Sequence, residues 1–182
     1  PRRVLSLVCL ETTRALQVSA ASVSLYDERL DALRVVAHCG LPDNYGEQIE
    51  ALGWSPCTRQ RNAGEGVVIP DVQADPGLPL ASLYVALDIR TLVSMPMRHE
   101  EQLVGTLCVL TRGQTRAFSD DETSFLRAIS DQTAQAIANA RLYEALQEEQ
   151  RARAVLLDKT ISAQEEERKR IARELHDDTS QG

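Results

Sequence analysis

Thr91-Leu-Val-Ser-Met-Pro-Met97 and Leu103-Val-Gly-Thr-Leu-Cys-Val-Leu110, joined by the turn His99-Glu-Glu-Gln102, decide the fold. Both runs are short and rich in β-branched and apolar residues, and the second is the most apolar strand in the chain. Gly105 inside it marks a place where another backbone comes close. Upstream, Ser22-Val-Ser-Leu-Tyr26 alternates polar with apolar residues, Asp27-Glu-Arg-Leu-Asp31 reads as a turn, and Leu33-Arg-Val-Val-Ala37 continues as a second strand. Gly66-Val-Val-Ile-Pro-Asp71 adds a short strand. Helices are expected at residues 2–17, where Val4, Leu5, Val8, Thr12 and Leu16 form one stripe, and at 44–52, 58–62 and 75–87. The sum is an α+β fold, a central, mostly antiparallel sheet flanked by helices.

Downstream the grammar changes. Every Pro lies at or before position 96, and apart from Gly182 every Gly lies at or before 113. From 119 to 181 the sequence runs through strong helix formers without a breaker, about 95 Å of helix if unbroken. Ser119 is the expected N-cap, with Glu122 three residues on completing a capping box. Phe125, Leu126, Ile129 and Ile137 are expected to cover the sheet. The helix then outruns the sheet, and a heptad-like seam takes over through Ala136, Ala140, Tyr143, Gln147, Gln150, Ala154, Leu157, Ile161, Gln164, Arg168, Ile171 and Leu175. Its polar members weaken it, which suits a joint poised between two packings.

Composition removes several function classes. Among 182 residues, 20 Lys and Arg face 27 Asp and Glu for a net charge of -7, the wrong sign for binding nucleic acid. The 4 Cys show no CxxC spacing, so reduced thiols are expected rather than a disulfide scaffold or a metal site. No apolar run reaches the ~18 residues of a membrane span, and no leader with a basic start and apolar middle opens the chain. The expected location is cytoplasmic.

Several stretches in order resemble a GAF domain, a small-molecule-binding and dimerising module of signalling proteins. They are Ala21-Ser-Val-Ser-Leu-Tyr-Asp27, Val36-Ala-His-Cys-Gly-Leu-Pro42, Val67-Val-Ile-Pro-Asp-Val72, Ile89-Arg-Thr-Leu-Val-Ser-Met-Pro-Met97, Leu103-Val-Gly-Thr-Leu-Cys-Val-Leu110, Phe118-Ser-Asp-Asp121 and Ala136-Ile-Ala-Asn-Ala-Arg-Leu-Tyr143. The resemblance implies a GAF domain over 1–143 and a ligand held between sheet and connecting helices, with Tyr84, Arg90, Thr91, Ser94 and Thr106 as candidates to touch it. The Asn-Lys, Phe and Asp-Glu signature of cyclic-nucleotide-binding relatives is not reproduced. A tetrapyrrole would draw on Cys57, Cys39 or His38, but neighbouring His38 and Cys39 on a strand face opposite ways. Cys9 and Cys108 are expected in the core. The ligand itself is not identified by the sequence.

The last turns carry a second resemblance. Glu167-Arg-Lys-Arg-Ile-Ala-Arg-Glu-Leu-His-Asp177 is similar to the dimerisation and phosphoacceptor helix of DesK-like bacterial sensor histidine kinases. It implies a signalling helix at 144–164 and the start of a histidine phosphotransfer domain at 165–182. By resemblance His176 is the phosphoacceptor, Asp177 its acid/base partner, and Gln181 positions a water for phosphatase action. Asp177 and Gln181 stand four apart, hence on one helix face. Arg173, four residues before Asp177, can pair with it. The resemblance further implies a homodimer, a response regulator as partner, and ATP with Mg²⁺ bound by a catalytic domain that this sequence does not contain. The rival expectation is a non-enzymatic GAF module that binds a ligand, dimerises and feeds another kind of output domain.

Overall fold

The computed structural model describes residues 2–52, 66–74, 77–78 and 80–179, with Arg2, Arg168 and residues 171–179 described by backbone alone. Along the chain come α1 (Arg2–Leu16), β1 (Ala20–Asp27), β2 (Ala32–Cys39), α2 (Tyr45–Ala51), β3 (Val67–Ile69), α3 (Ala81–Ala86), β4 (Ile89–His99), β5 (Gln102–Arg112) and α4 (Asp120–Thr179). The described strands form a five-stranded sheet in the order β2-β1-β5-β4-β3, each pairing antiparallel. The expected α+β architecture is the observed one. The chain divides into two compact units, residues 1–138 and 139–182.

Alternation along the strands sends side chains to two faces. On one face Ala21, Val23, Val93, Met95, Met97, Leu107 and Val109 form a cluster with Leu5, Cys9 and Leu16 of α1 and Leu126 and Ala134 of α4. On the other, Ala20, Leu92 and Leu110 pack with Tyr45 and Ile49 of α2 and Leu83 and Tyr84 of α3. Gly105 lies where β5 meets both neighbours. A Cβ there would stand 2.2 Å from the Ser24 carbonyl oxygen and 2.7 Å from Met97 Cε, so the close approach expected from sequence is real.

Three expectations shift in phase or length. The buried stripe of α1 runs through Leu5, Cys9, Thr12 and Leu16, while Val4 and Leu7 are exposed. On α4, Leu126 is buried and Ile129 and Ile137 pack beside it, whereas Phe125 is 39% exposed. In both helices neighbouring residues lie 100° apart, so an error of one position moves a side chain off the buried arc. Among the described residues, the helix expected at 75–87 is present as Ala81–Ala86, and Pro76, Gly77 and Pro79 in the sequence disfavour an earlier start. The helix expected at 58–62 lies outside the described residues.

The capping box is present. Glu122 N–H donates to Ser119 Oγ at 3.2 Å, and Ser119 N–H to Glu122 Oε2 at 2.9 Å. In the second unit α4 exposes Leu142, Tyr143, Leu146, Leu156, Leu157 and Ile161. Among the described residues no helix is long and apolar enough to cross a membrane.

Candidate functional site

The face that carries α2 and α3 has a polar middle. Register places His38 of β2 beside Ser22 of β1, Ser22 beside Cys108 of β5, and Cys108 beside Ser94 of β4. This is one continuous rung across four strands. The next rung sets Ser24 beside Thr106 and Thr106 beside Pro96. The rung on the other side is apolar, with Ala20, Leu110 and Leu92. Ser22, Ser24, Ser94 and Thr106 are all buried. The Cys108 thiol donates to Ser94 Oγ at 3.2 Å and lies 4.0 Å from Thr106 Oγ1.

Two tyrosines stand over this floor. Tyr45 opens α2 and Tyr84 lies in α3; both are buried in the same cluster. The His38 ring meets Tyr45 edge-on, with centroids 6.3 Å apart and planes at 69°. Burial, and the nearby Cys108 thiol, push the Tyr45 phenol above its usual range. Burial does the same to Tyr84, with Tyr45 and Cys108 adding to it. Burial raises the Cys108 thiol as well, against hydrogen bonds with Ser94 and Thr106 that favour the thiolate. Thiol, phenols and hydroxyls are thus all neutral near pH 7. Such a set exchanges hydrogen bonds with a polar or half-polar molecule.

Of the residues singled out from sequence, Tyr84, Ser94 and Thr106 converge here, around Cys108. Arg90 and Thr91 are engaged elsewhere. The Arg90 guanidinium grips Asp71 with two bonds, Nη2 to Oδ2 at 2.6 Å and Nε to Oδ1 at 3.2 Å, and thereby holds the Asp71 carboxyl below its ordinary value. Thr91 alternates with Leu92; its hydroxyl donates to the Pro70 carbonyl at 2.8 Å and accepts from Arg116 N–H at 2.9 Å. Cys108, expected in an apolar core, instead lies at the centre of the polar rung, because β5 alternates and the side facing α2 and α3 is lined by hydroxyls. Cys9 is fully buried, its thiol pushed up to about 12 by burial. Cys39 packs on the opposite face from His38, with its Sγ 3.8 Å from Thr13 Oγ1. Cys57 lies outside the described residues.

Ser22, Ser24 and Tyr45 were not singled out as site residues, and His38 only as a candidate partner for a tetrapyrrole. The signal for the two serines in the sequence was Ser22-Val-Ser-Leu, whose polar members ordinarily face water in a half-exposed strand. Among the described residues no group of three His, Cys, Asp or Glu side chains is placed to hold a metal. The backbone puts His176 and Asp177 in α4; their side chains, and all of Gln181, lie outside the described residues.

No curated protein matches the chain significantly. Solved structures do. A domain assigned to a two-component sensor histidine kinase from Sinorhizobium meliloti is 25% identical, with TM-score 0.69 over 80% of this chain and 95% of that one. The GAF domain of a phosphoenolpyruvate-protein phosphotransferase from Coxiella burnetii is 20% identical, with TM-score 0.67 over 79% and 86%. The blue-light absorbing form of the PixJ GAF domain from Thermosynechococcus elongatus is 16% identical, with TM-score 0.62 over 80% and 89%. The GAF domain family model matches residues 1–137, most of the sheet unit and both of its apolar clusters. The chain belongs to the GAF domain family.

Proposed function

We propose that this chain is the sensory and phosphoacceptor part of a two-component sensor histidine kinase. The observation that carries the reading is α4, which starts at the capped turn against the sheet and continues as one helix through His176. Support also comes from the likeness to the Sinorhizobium meliloti domain. A small neutral molecule bound among Ser22, Ser94, Thr106, Cys108, Tyr45 and Tyr84 is the input. The output is the way two copies of α4 pair along their exposed apolar residues, which sets how far His176 is offered to a catalytic domain.

The chemistry at the output follows from residue type. A neutral imidazole nitrogen of His176 attacks the γ-phosphorus of ATP; a P–N bond forms, the bond to the bridging oxygen breaks, and ADP leaves. Asp177 takes the imidazole proton, and the Mg²⁺ that accompanies ATP shields the phosphate charge. Transfer to a response regulator and hydrolysis there, with a water held by Gln181, complete the cycle. The test is acid-labile labelling of the full-length protein by ATP and Mg²⁺. Wild type is expected to label and His176→Gln to lose at least about 99% of it. Equal labelling of the two overturns the reading.

A second reading is favoured by the phosphotransferase and PixJ neighbours, whose GAF domains belong to other kinds of protein. Here the same ligand-binding face and pairing helix serve an output other than a histidine kinase. A full-length protein that binds a ligand and dimerises, yet takes no label at any histidine, selects it.

A further inference from the structure

The two faces of the sheet are joined at one edge by a short chain of hydrogen bonds. Residues 70–74 follow β3 and press Val72, fully buried, into the cluster that holds Tyr45 and Tyr84. That segment is pinned to the start of β4: Val72 N–H donates to the Arg90 carbonyl at 2.7 Å, Gln73 Nε2 to the Ile89 carbonyl at 2.9 Å, and Asp71 holds Arg90. From Pro70 the path crosses to Thr91 Oγ1, and from there to the backbone of Arg116.

Arg116 faces the output side. Its guanidinium donates to the Leu16 carbonyl, and to the Gln17 carbonyl at 3.4 Å, at the C-terminal end of α1. It also pairs with Glu122, whose other oxygen caps α4. Its Cζ lies 4.9 Å from the centroid of Phe118. The Arg116 cation complements the C-terminal dipole of α1, the Glu122 carboxylate complements the N-terminal dipole of α4, and the ion pair between them links the two ends. The last turn of α1 and the first turn of α4 therefore share one side chain.

We infer that Thr91 is a coupling residue, whose hydroxyl carries displacement of residues 70–74 on the ligand side to Arg116 and so to the first turn of α4. Thr91 is fully buried, and its hydroxyl both donates and accepts. A shift of Pro70 must either break the bond or draw the backbone of Arg116 with it. The inference deepens the sensory reading and rests on it only for what the displacement finally reaches.

Amide hydrogen exchange in the full 182-residue chain tests it without any ligand or phosphorylation. Asp71→Asn loosens residues 70–74, and the readout is exchange at Arg116, Glu122 and Thr123. In the native background these amides are expected to speed up by about fivefold to tenfold. In a Thr91→Val background the further effect of Asp71→Asn should fall below about twofold, and Thr91→Ser, which keeps the hydroxyl, should restore it. Equal acceleration with and without the hydroxyl, or none in either, overturns the inference. A chain that passes this test but takes no label at His176 keeps the relay and loses the kinase reading.

Discussion

Asp71 gains its place from Arg90, and that fixes how it responds to acid. The guanidinium, aided by Gln73 N–H, holds its carboxyl below the ordinary 3.8. A carboxylate whose folded value is depressed adds stability above its unfolded value and loses it as pH falls through the folded one. The cost of Asp71→Asn should accordingly be constant above about pH 5, shrink below that, and vanish once both states are protonated. Urea unfolding of wild type and variant across pH 7 to 3 checks this; a cost that grows in acid contradicts it. At this scale the sequence was partly legible. Gly105 was readable because a glycine in an apolar strand gives up side-chain packing, a loss that a close backbone approach requires. Cys108 and Ser22 were not, because alternation tells which residues share a face but not which helices will cover that face.

Elements announce themselves by local chemistry. The Ser119 and Glu122 box was read from four consecutive residues, and the turn between β1 and β2 from Asp27 and Asp31, since both depend on hydrogen bonds within a few positions. Ser119→Ala removes the oxygen that accepts from Glu122 N–H and should destabilise the chain by about 1 kcal/mol, measured by urea denaturation monitored at a sheet-unit probe. No change would mean that Arg116 alone fixes the first turn. The phase of α1 and α4 was less legible. Val4 and Phe125 carry the right residue type at nearly the right spacing, and only packing against the sheet selects Leu5 and Leu126 as the buried members. The short α3 shows the opposite case, where Pro76, Gly77 and Pro79 outweigh a helical pattern that reads well on either side.

At the scale of the whole molecule, among the described residues every member of both apolar clusters lies in the first unit, with Ile137 the last of them in sequence. A chain of residues 1–138 should therefore unfold in one transition within about 5 °C of the 182-residue chain, while losing helical signal. A fall much larger than this, read by circular dichroism, would show that residues 139–179 contribute to the sheet unit's stability. The α+β class was legible because five strand-like runs and their flanking helices each carried a signal. The proposed output rests on sequence alone, since Glu167 to Asp177 is a chemical motif that no packing argument predicts. One consequence belongs to the floor of the site. Its central rung is made of short side chains, Ser22, Cys108 and Ser94, on the sheet face whose cluster also holds Tyr45 and Tyr84. Exchanging one of these short residues for one a few atoms larger or smaller changes the volume beneath the covering helices, so on the proposed sensory reading closely related chains would retune their ligand by very few changes.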